Sequence, residues 1–456
     1  MALSKNFAQN TKPCKATSQS PIAPYAMSLR ICECPYNYTG EHCEIPVVCT
    51  QNACGPNAEC RVFNHRVNCN CKLGYTGDPY SHDGCNKTVV TSCMTGDPHY
   101  YSFDRNFFDY QGTCPYLVSK NCKSIAPYAD FVIKARNALV RPAAHVSYVV
   151  EVELETHGIN IHIDELLNLY VNGVLRNYNF YYPNRDNPEV SVENNFGQIV
   201  INTIDGLQIL FRRGYLCITI PDVPELQGAS TLCGMLGNRD GNCKNDLTMS
   251  NGTIITDDQS NTPCKHDLHW MGSETFGDSW IINKTDFLNT IGDYFCEPGH
   301  IVANTTLNCT VQDARDSCQS IQDAENATGI FQVCAPLGQA VLEHLFDDCV
   351  YDVCLAPIDR CPTLDAFVEQ CQSEIPFADV GDWRSALHCP PYYCPVDSTY
   401  SSCASRCQPT CAYSNGTVDN GCIDTCTEGC MCNPGYVVDT SSAKFKCIQI
   451  EDCGCT

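Results

Sequence analysis

Residues 146–163 read VSYVVEVELETHGINIHI, and this run decides the fold. Val146, Tyr148, Val150, Val152 and Leu154 fall on one side of a period-two pattern, while Ser147, Glu151, Glu153 and Glu155 fall mostly on the other. Ile159, Ile161 and Ile163 resume the alternation, and Val200, Ile209, Phe211, Ile218 and Ile220 repeat it in short runs. Asn172-Gly173 and Asp205-Gly206 separate such runs with residues that tolerate positive φ, so the runs pair as antiparallel hairpins. No cysteine occurs between Cys122 and Cys217. That stretch must hold itself together with a hydrophobic core, and an all-β sandwich or barrel of roughly 170–200 residues is the economical reading.

Outside that stretch cysteine dominates. The 456 residues include 37 cysteines, the density of a disulfide scaffold and not of a reducing compartment. Acidic residues outnumber basic ones 52 to 28, for a net charge of −24. Such a surface excludes a nucleic-acid binder driven by phosphate neutralisation and favours divalent cations. No apolar run reaches the length of a membrane span. Asn-x-Ser/Thr sequons at Asn37, Asn86, Asn251, Asn283, Asn304, Asn308, Asn326 and Asn415 fit a secreted glycoprotein. The opening MALSKNFAQNTKPCK has no apolar core segment and does not read as a signal peptide, so the chain is expected to be secreted yet to be part of a longer product.

Cysteine spacing divides the chain into modules. Cys49, Cys54, Cys60, Cys69, Cys71 and Cys85, with Gly74-Tyr75-Thr76-Gly77 before the last, resemble a complete EGF-like module, and all six are assigned to disulfides. Cys32, Cys34 and Cys43, with Cys14 upstream, resemble the closing half of a second such module, and the resemblance implies Cys14–Cys32 and Cys34–Cys43 pairs. The acidic lead-in of a calcium-binding EGF module is absent. Gly338 to Cys354 (GQAVLEHLFDDCVYDVC) and Leu364 to Cys371 carry apolar residues at helical spacing, which predicts a small helical module stapled by bridges. Cys394 to Cys453 is too poor in apolar residues to build a core and relies on disulfides for order.

Several motifs appear in a recognisable order. Cys93-Met94-Thr95-Gly96-Asp97-Pro98-His99-Tyr100, Phe103-Asp104 and Phe108-Asp109-Tyr110-Gln111-Gly112-Thr113-Cys114 resemble the opening of a von Willebrand factor type D domain. Cys233-Gly234-Met235-Leu236-Gly237-Asn238-Arg239-Asp240-Gly241, Asn245-Asp246-Leu247 and Phe276-Gly277-Asp278-Ser279-Trp280 resemble its close. Cys349-x4-Cys354 and Asp382-Trp383-Arg384 resemble the eight-cysteine module that follows such domains. Cys430-x-Cys432 and Gly435-Tyr436-Val437 resemble a trypsin-inhibitor-like module. The implied organisation is a truncated EGF-like module at 1–45, an EGF-like module at 46–90, type D at 91–295, the helical module at 296–390 and the inhibitor-like module at 391–456. The fold class is therefore multidomain and disulfide-rich, mainly β, with a small α-helical module and a loop-rich terminal one. The same assembly occurs in zonadhesin-like, gel-forming-mucin-like, IgG Fc-binding-protein-like and tectorin-like proteins.

The resemblance implies a calcium site with ligands at Asn238, Asp240, Asn242 through its backbone carbonyl, Asn245 and Asp246, plus Asp97; these are oxygen donors of the kind calcium takes. Read on its own, the same segment is an Asn/Asp/Gly turn. Asp97-Pro98 lies in a Gly-Asp-Pro-His motif at which some relatives self-cleave under mild acid, the Asp carboxyl attacking its own carbonyl carbon; a plain structural turn is the alternative. Assembly-competent type D domains often carry Cys-Gly-Leu-Cys-Gly; here Leu236 stands in place of the second cysteine, which argues against disulfide shuffling there. Cys243 and Cys264 are extra and are expected to pair. The spacing Cys264-x-His266-x2-His269 resembles a metal triplet, but an oxidised Cys264 would not ligate. Cys455 is left over, for a bridge to another chain, a partner in missing sequence or a free thiol. Asp424, in the inhibitor-like loop Cys422–Cys426, suits no common serine protease, so inhibition is the runner-up reading. No G-x-S-x-G or H-E-x-x-H motif appears, and a secreted enzyme on a type D domain is a further alternative. The expected product is a secreted, calcium-binding adhesive or matrix glycoprotein that binds extracellular glycoproteins, matrix or cell surfaces, or assembles with itself.

Overall fold

In the computed structural model, residues 15–16, 32–33, 38–39, 45–50, 53–63, 66–71, 76–82, 84–86, 88–96, 98–124, 126–139, 147–185, 187–195, 198–256, 264, 272–283, 286–287, 296–299, 310–355, 360–375, 377–405, 407–411, 426–439 and 445–453 are described. They form two compact units, one of residues 1–88 with 221–223 and one of the remainder. The first is built from two-stranded ladders, the longest pairing Ala58–Phe63 with Arg66–Cys71. Disulfides Cys49–Cys60, Cys54–Cys69 and Cys71–Cys85 staple it. Of the four cysteines before it, Cys32 opens the short strand Cys32–Glu33, while Cys14, Cys34 and Cys43 lie outside the described residues.

The second unit opens with fifteen short strands, numbered here from Val89. They are β1 (Val89–Thr95), β2 (His99–Tyr101), β3 (Phe107–Asp109), β4 (Pro115–Asn121), β5 (Phe131–Leu139), β6 (Ser147–Thr156), β7 (Ile159–Ile163), β8 (Leu169–Val171) and β9 (Val174–Arg176). The series continues with β10 (Phe180–Tyr182), β11 (Val190–Asn195), β12 (Gln198–Thr203), β13 (Gln208–Arg212), β14 (Tyr215–Pro221) and β15 (Leu232–Cys233). One sheet has the order β3-β2-β1-β14-β13-β12-β11-β10 and the other β9-β8-β7-β6-β5-β4-β15. Two-residue turns at Asn172-Gly173 and at His157-Gly158 close hairpins, with positive φ at all four positions. Asp205-Gly206 turns β12 into β13, Thr203 and Leu207 closing the loop. The sequence marked the first and third of these turns and missed the second, because His before Gly is a weaker signal than Asn or Asp.

The alternation holds, with one correction. Opposite Arg136 and Asn137 the register skips Val150, a bulge that puts Tyr148 on the Glu151 side: Ala138 faces Tyr148, Arg136 faces Glu151 and Asn137 faces Val149. Val149, Val152 and Leu154 then share the core face with Ile133 and Ala135, all fully buried. A second departure concerns the glutamates. Glu151 and Glu153 are buried, paired with Arg136 at 2.7 Å and Lys134 at 2.8 Å, and His162 lies between them. Lys134 also donates to the Asp286 carbonyl, and Phe287 packs on His162, so the segment after the last D-region helix covers this face.

The β12–β13–β14 strands are buried on both sides, which explains why their apolar runs exceed simple alternation. Ile199, Ile201, Ile209, Phe211 and Ile218 form one face. Val200, Leu210, Tyr215 and Cys217, with Cys93, Tyr101 and Phe107, form the other and are continuous with the core of the helical module. That module comprises α2 (Val311–Ser317), α3 (Gln319–Glu325), α4 (Gln339–Leu355), α5 (Cys361–Glu374) and α6 (Trp383–Ala386), after α1 (Gly272–Asp278) of the D region. Trp383, Phe331 and Phe367 fill its centre, and Cys318–Cys349, Cys334–Cys371 and Cys361–Cys389 staple it. The last segment pairs β16 (Ser398–Ser405) with β17 (Cys426–Cys432) and β18 (Tyr436–Val438) with β19 (Cys447–Gln449). Its order comes from Cys394–Cys430, Cys403–Cys426, Cys411–Cys453 and Cys432–Cys447, as the shortage of apolar residues requires.

Candidate functional site

The loop that follows β15 is wound around carboxylates. Gly237 has φ +73°, and a Cβ there would come within 2.7 Å of the Asp246 carboxyl, so glycine is what lets the loop close on that side chain. Asp246 is buried; its Oδ1 accepts from the Asn238 amide at 3.2 Å and its Oδ2 from the Ser102 hydroxyl. Burial pushes its carboxyl up to about 8; the Ser102 bond opposes this and the Asp104 charge adds to it. Asp104 accepts from the amides of Asp240 and Gly241 at 2.8 and 2.9 Å. Asp240 accepts from the Asn242 amide and from Asn245 Nδ2, and Asn238 Nδ2 donates to Asn245 Oδ1 at 3.1 Å. Asn106 ties the far side of the loop by donating to the Cys243 carbonyl at 2.7 Å.

Five of the six ligand positions expected from sequence thus gather in one loop, while Asp97 lies outside the described residues. Asp104, whose Phe-Asp motif the sequence showed without placing it here, joins them through a contact 136 residues away in sequence. The donor chemistry fits a calcium ion. Asp104, Asp240 and Asp246 supply three carboxylates, and Asn238 Oδ1 is a buried acceptor that receives no hydrogen bond. Cys243–Cys264 forms a disulfide at the end of the loop, which removes Cys264 as a metal ligand. Leu236, which stands in place of a second cysteine, is fully buried.

The other expected sites are distributed. Pro98 is buried, with its carbonyl accepting from Tyr110. Asn251, Asn283 and Asn326 are exposed. Asn37, Asn304, Asn308, Asn415, Asp424 and Cys455, and the side chain of Asn86, lie outside what is described. The Phe276–Trp280 motif is structural: a Cβ on Gly277 would come within 2.3 Å of the Tyr110 ring, and Tyr110 donates to Asp278 at 2.7 Å.

Two junctions are polar and buried. At the first, His99 of β2 meets Asp109 of β3 and, from α4, Asp348 and Asp352. Burial alone would lower the His99 pKa, but the charges of Asp348, Asp352 and Asp109 outweigh it and raise it well above the usual value. At the second, Arg384 of α6 reaches Glu428 of β17 through two bonds of 2.6 and 2.9 Å and also pairs with Asp365. Gln372 of α5 donates to the carbonyls of Ala378 and Ser402 and accepts from the Glu428 amide.

Residues 93–253 match the model of the von Willebrand factor type D domain, 317–390 that of the C8 domain and 394–453 that of the trypsin inhibitor like cysteine rich domain. The chain carries these three domains in that order. Alpha-tectorin of Homo sapiens is 28% identical over 428 residues, covering 88% of this chain and 17% of its own length. IgGFc-binding protein of Homo sapiens is 28% identical over 414 residues, covering 88% and 7%. Zonadhesin of Sus scrofa is 27% identical over 385 residues, covering 82% and 14%. The chain therefore spans at most 17% of the length of these relatives. Within it, the loop of Asn238–Asp246 belongs to the type D domain, the four-residue His99 junction joins type D to C8, and the Arg384 junction joins C8 to the inhibitor-like domain.

Proposed function

We propose that this chain is a secreted adhesive or matrix protein segment that works by binding other extracellular proteins, with calcium ordering its type D domain. The observation that carries the calcium part is the loop Gly237–Asp246. Asp104, Asp240 and Asp246 are tied to that loop by hydrogen bonds and the buried Asn238 Oδ1 has no donor, oxygen groups of the kind calcium takes. The adhesive part is supported by the relatives, one of which is named for binding the Fc region of IgG. It is also supported by the continuity of the type D and C8 cores, which suits a rigid surface for presentation to partners. Exposed Asn251, Asn283 and Asn326 support glycan attachment, and the three first-unit disulfides, which join first to third, second to fourth and fifth to sixth cysteine, support an EGF-like module.

Where calcium binds, Asn238, Asp240, Asn245, Asp246 and Asp104 hold it through side-chain oxygens and Asn242 through its carbonyl. The ion supplies fixed positive charge, and these residues fix the loop against β2 and β3. Calorimetry of the whole chain with Ca²⁺, beside Asp240→Ala, tests the reading. Binding that the substitution removes, with a calcium-dependent rise in melting temperature only in the wild type, supports it. Equal heats in both proteins would overturn it. Surface plasmon resonance of the chain over itself and over immobilised extracellular-matrix glycoproteins, with calcium and with chelator, tests the adhesive half.

A further inference from the structure

The His99 junction has a feature that an ordinary ion-pair cluster lacks. Three carboxylates face one imidazole in a buried site. His99 Nδ1 lies 2.7 Å from Asp109 Oδ1 and 3.3 Å from Asp348 Oδ1, and Nε2 lies 2.9 Å from Asp352 Oδ1. His99 and Asp348 are each 3% exposed. Both Asp348 carboxylate oxygens are buried and receive no hydrogen bond, although the group points into the cluster. A charged imidazole would still leave a net negative charge there, and uncompensated buried charge is among the costliest states a protein can hold.

We infer that His99 Nδ1, Asp109 and Asp348 form a binding site for a divalent transition-metal ion of the Zn²⁺ type, pinning the type D domain to C8. One nitrogen and two carboxylate oxygens lie within 4.8 Å of one another. Ligands bound tetrahedrally to zinc at ~2.0–2.1 Å lie about 3.3 Å apart, the separation between His99 Nδ1 and Asp348 Oδ1; Asp109 Oδ1, now at the hydrogen-bond distance of 2.7 Å, would move outward by about 0.6 Å on metal binding. The outer partners are also in place. With Nδ1 on the metal, Nε2–H donates to Asp352, whose other oxygen accepts from Thr363 Oγ1 at 3.0 Å. A ligating histidine oriented by a carboxylate is the usual second layer of a zinc site. His344 Nε2 stands 3.2 Å from the second Asp348 oxygen, on the same helix. A cavity of about 10 Å³ borders His99, Asp348 and Asp352, and Asp109, 20% exposed, opens a route to solvent. Two ligands come from β2 and β3 and one from α4, so the ion would bind only when the two domains are docked.

The test uses the whole chain, stripped with chelator and then held in excess Ca²⁺ so that the loop of Asn238–Asp246 is filled. Titration with ZnCl₂ by calorimetry, with metal content by mass spectrometry and Co²⁺ absorption as a geometric probe, is run on wild type, Asp348→Asn, Asp109→Asn, Asp352→Asn and Asp240→Ala. The expected result is one zinc equivalent in wild type and Asp240→Ala, lost in Asp348→Asn and Asp109→Asn, and weakened about 10–100-fold in Asp352→Asn. Circular dichroism reports folding; if Asp348→Asn unfolds, the partly exposed Asp109 keeps the test valid. Equal zinc stoichiometry in wild type and the folded ligand variants overturns the inference, as does no zinc binding in wild type. Failure of the calcium reading would instead appear in the Asp240→Ala calcium titration, leaving the zinc result unaffected.

Discussion

Replacing Arg384 by Ala should loosen the inhibitor-like domain from C8 more than any exposed ion pair would. Arg384 is 8% exposed and the Glu428 side chain is 7% exposed beside it, joined by the paired 2.6 and 2.9 Å bonds; Asp365 completes the set, and the guanidinium stacks over Trp383 at 4.5 Å. Removing one partner of a buried pair costs about 3–5 kcal/mol, because the remaining charge is stranded. Two features place this case at the low end. Tyr400 continues to donate to Glu428 at 2.8 Å, and Asp365 is a third exposed, so water can reach it. A loss of about 3 kcal/mol corresponds to a fall of roughly 6–12 °C in melting temperature for a unit of this size. Calorimetry on Arg384→Ala, Glu428→Ala and the double variant gives the coupling directly. The pair Arg384→Met with Glu428→Leu should recover to within about 1 kcal/mol of wild type, since it strands no buried charge and leaves only Asp365, which water reaches, without Arg384. Single costs below about 1 kcal/mol, with no coupling, would show that the contact behaves as a solvated surface bridge and would refute the argument.

Gly237→Ala should abolish calcium binding and cost at least ~1 kcal/mol, because its Cβ meets the Asp246 carboxyl at positive φ; titration calorimetry and melting report both. Replacing Cys243 and Cys264 by Ser should cost about 3 kcal/mol, the loop-closure value for a separation of 21 residues, read from denaturant unfolding. If Asp97-Pro98 self-cleaves, mild-acid incubation should give two fragments on a reducing gel and one band on a non-reducing gel, because Cys93–Cys217 keeps the pieces joined. Asp379 is held below the usual carboxylate range by the Ser402 hydroxyl and the Gly381 amide. A lowered carboxylate stabilises above its unfolded pKa, and that gain is lost as pH falls through its folded one. The melting gap between wild type and Asp379→Asn, worth no more than ~1 kcal/mol at neutral pH, should therefore close in acid.

Local pattern revealed the strands, two of the hairpin turns, α4 and α5, because period and turn chemistry are written in consecutive residues. It failed at Val150, where a bulge reverses the parity of everything before it, and at Glu151 and Glu153, whose partners lie on other strands. The Asn238–Asp246 loop could be singled out because five polar residues fall within nine positions. Asp104 could not, since its place depends on a fold that brings β2 and β3 against the loop. The His99 cluster was further out of reach: Asp352 is separated from it by 253 residues, and an Asp on a helix rich in apolar residues gives no sign that it faces another domain.

The bridge between Cys114 and Cys296 spans 182 residues and sets how the type D domain answers a pull. Tension applied at Cys93 and taken off at Cys296 has a covalent short cut from Cys93 along the chain to Cys114 and across the sulfurs. At about 3.4 Å per extended residue, that route can lengthen to only ~70 Å, against ~270 Å along the next shortest covalent route, through Cys93–Cys217 and the chain from Cys217 to Cys296. Strands β4 to β15 lie beside that short route, tethered to it through Cys93–Cys217 as well as Cys114–Cys296, and are slack once it is taut. In a stretched matrix such a link transmits force to its neighbours almost undiminished, and cutting this one bridge would turn a tether into a shock absorber.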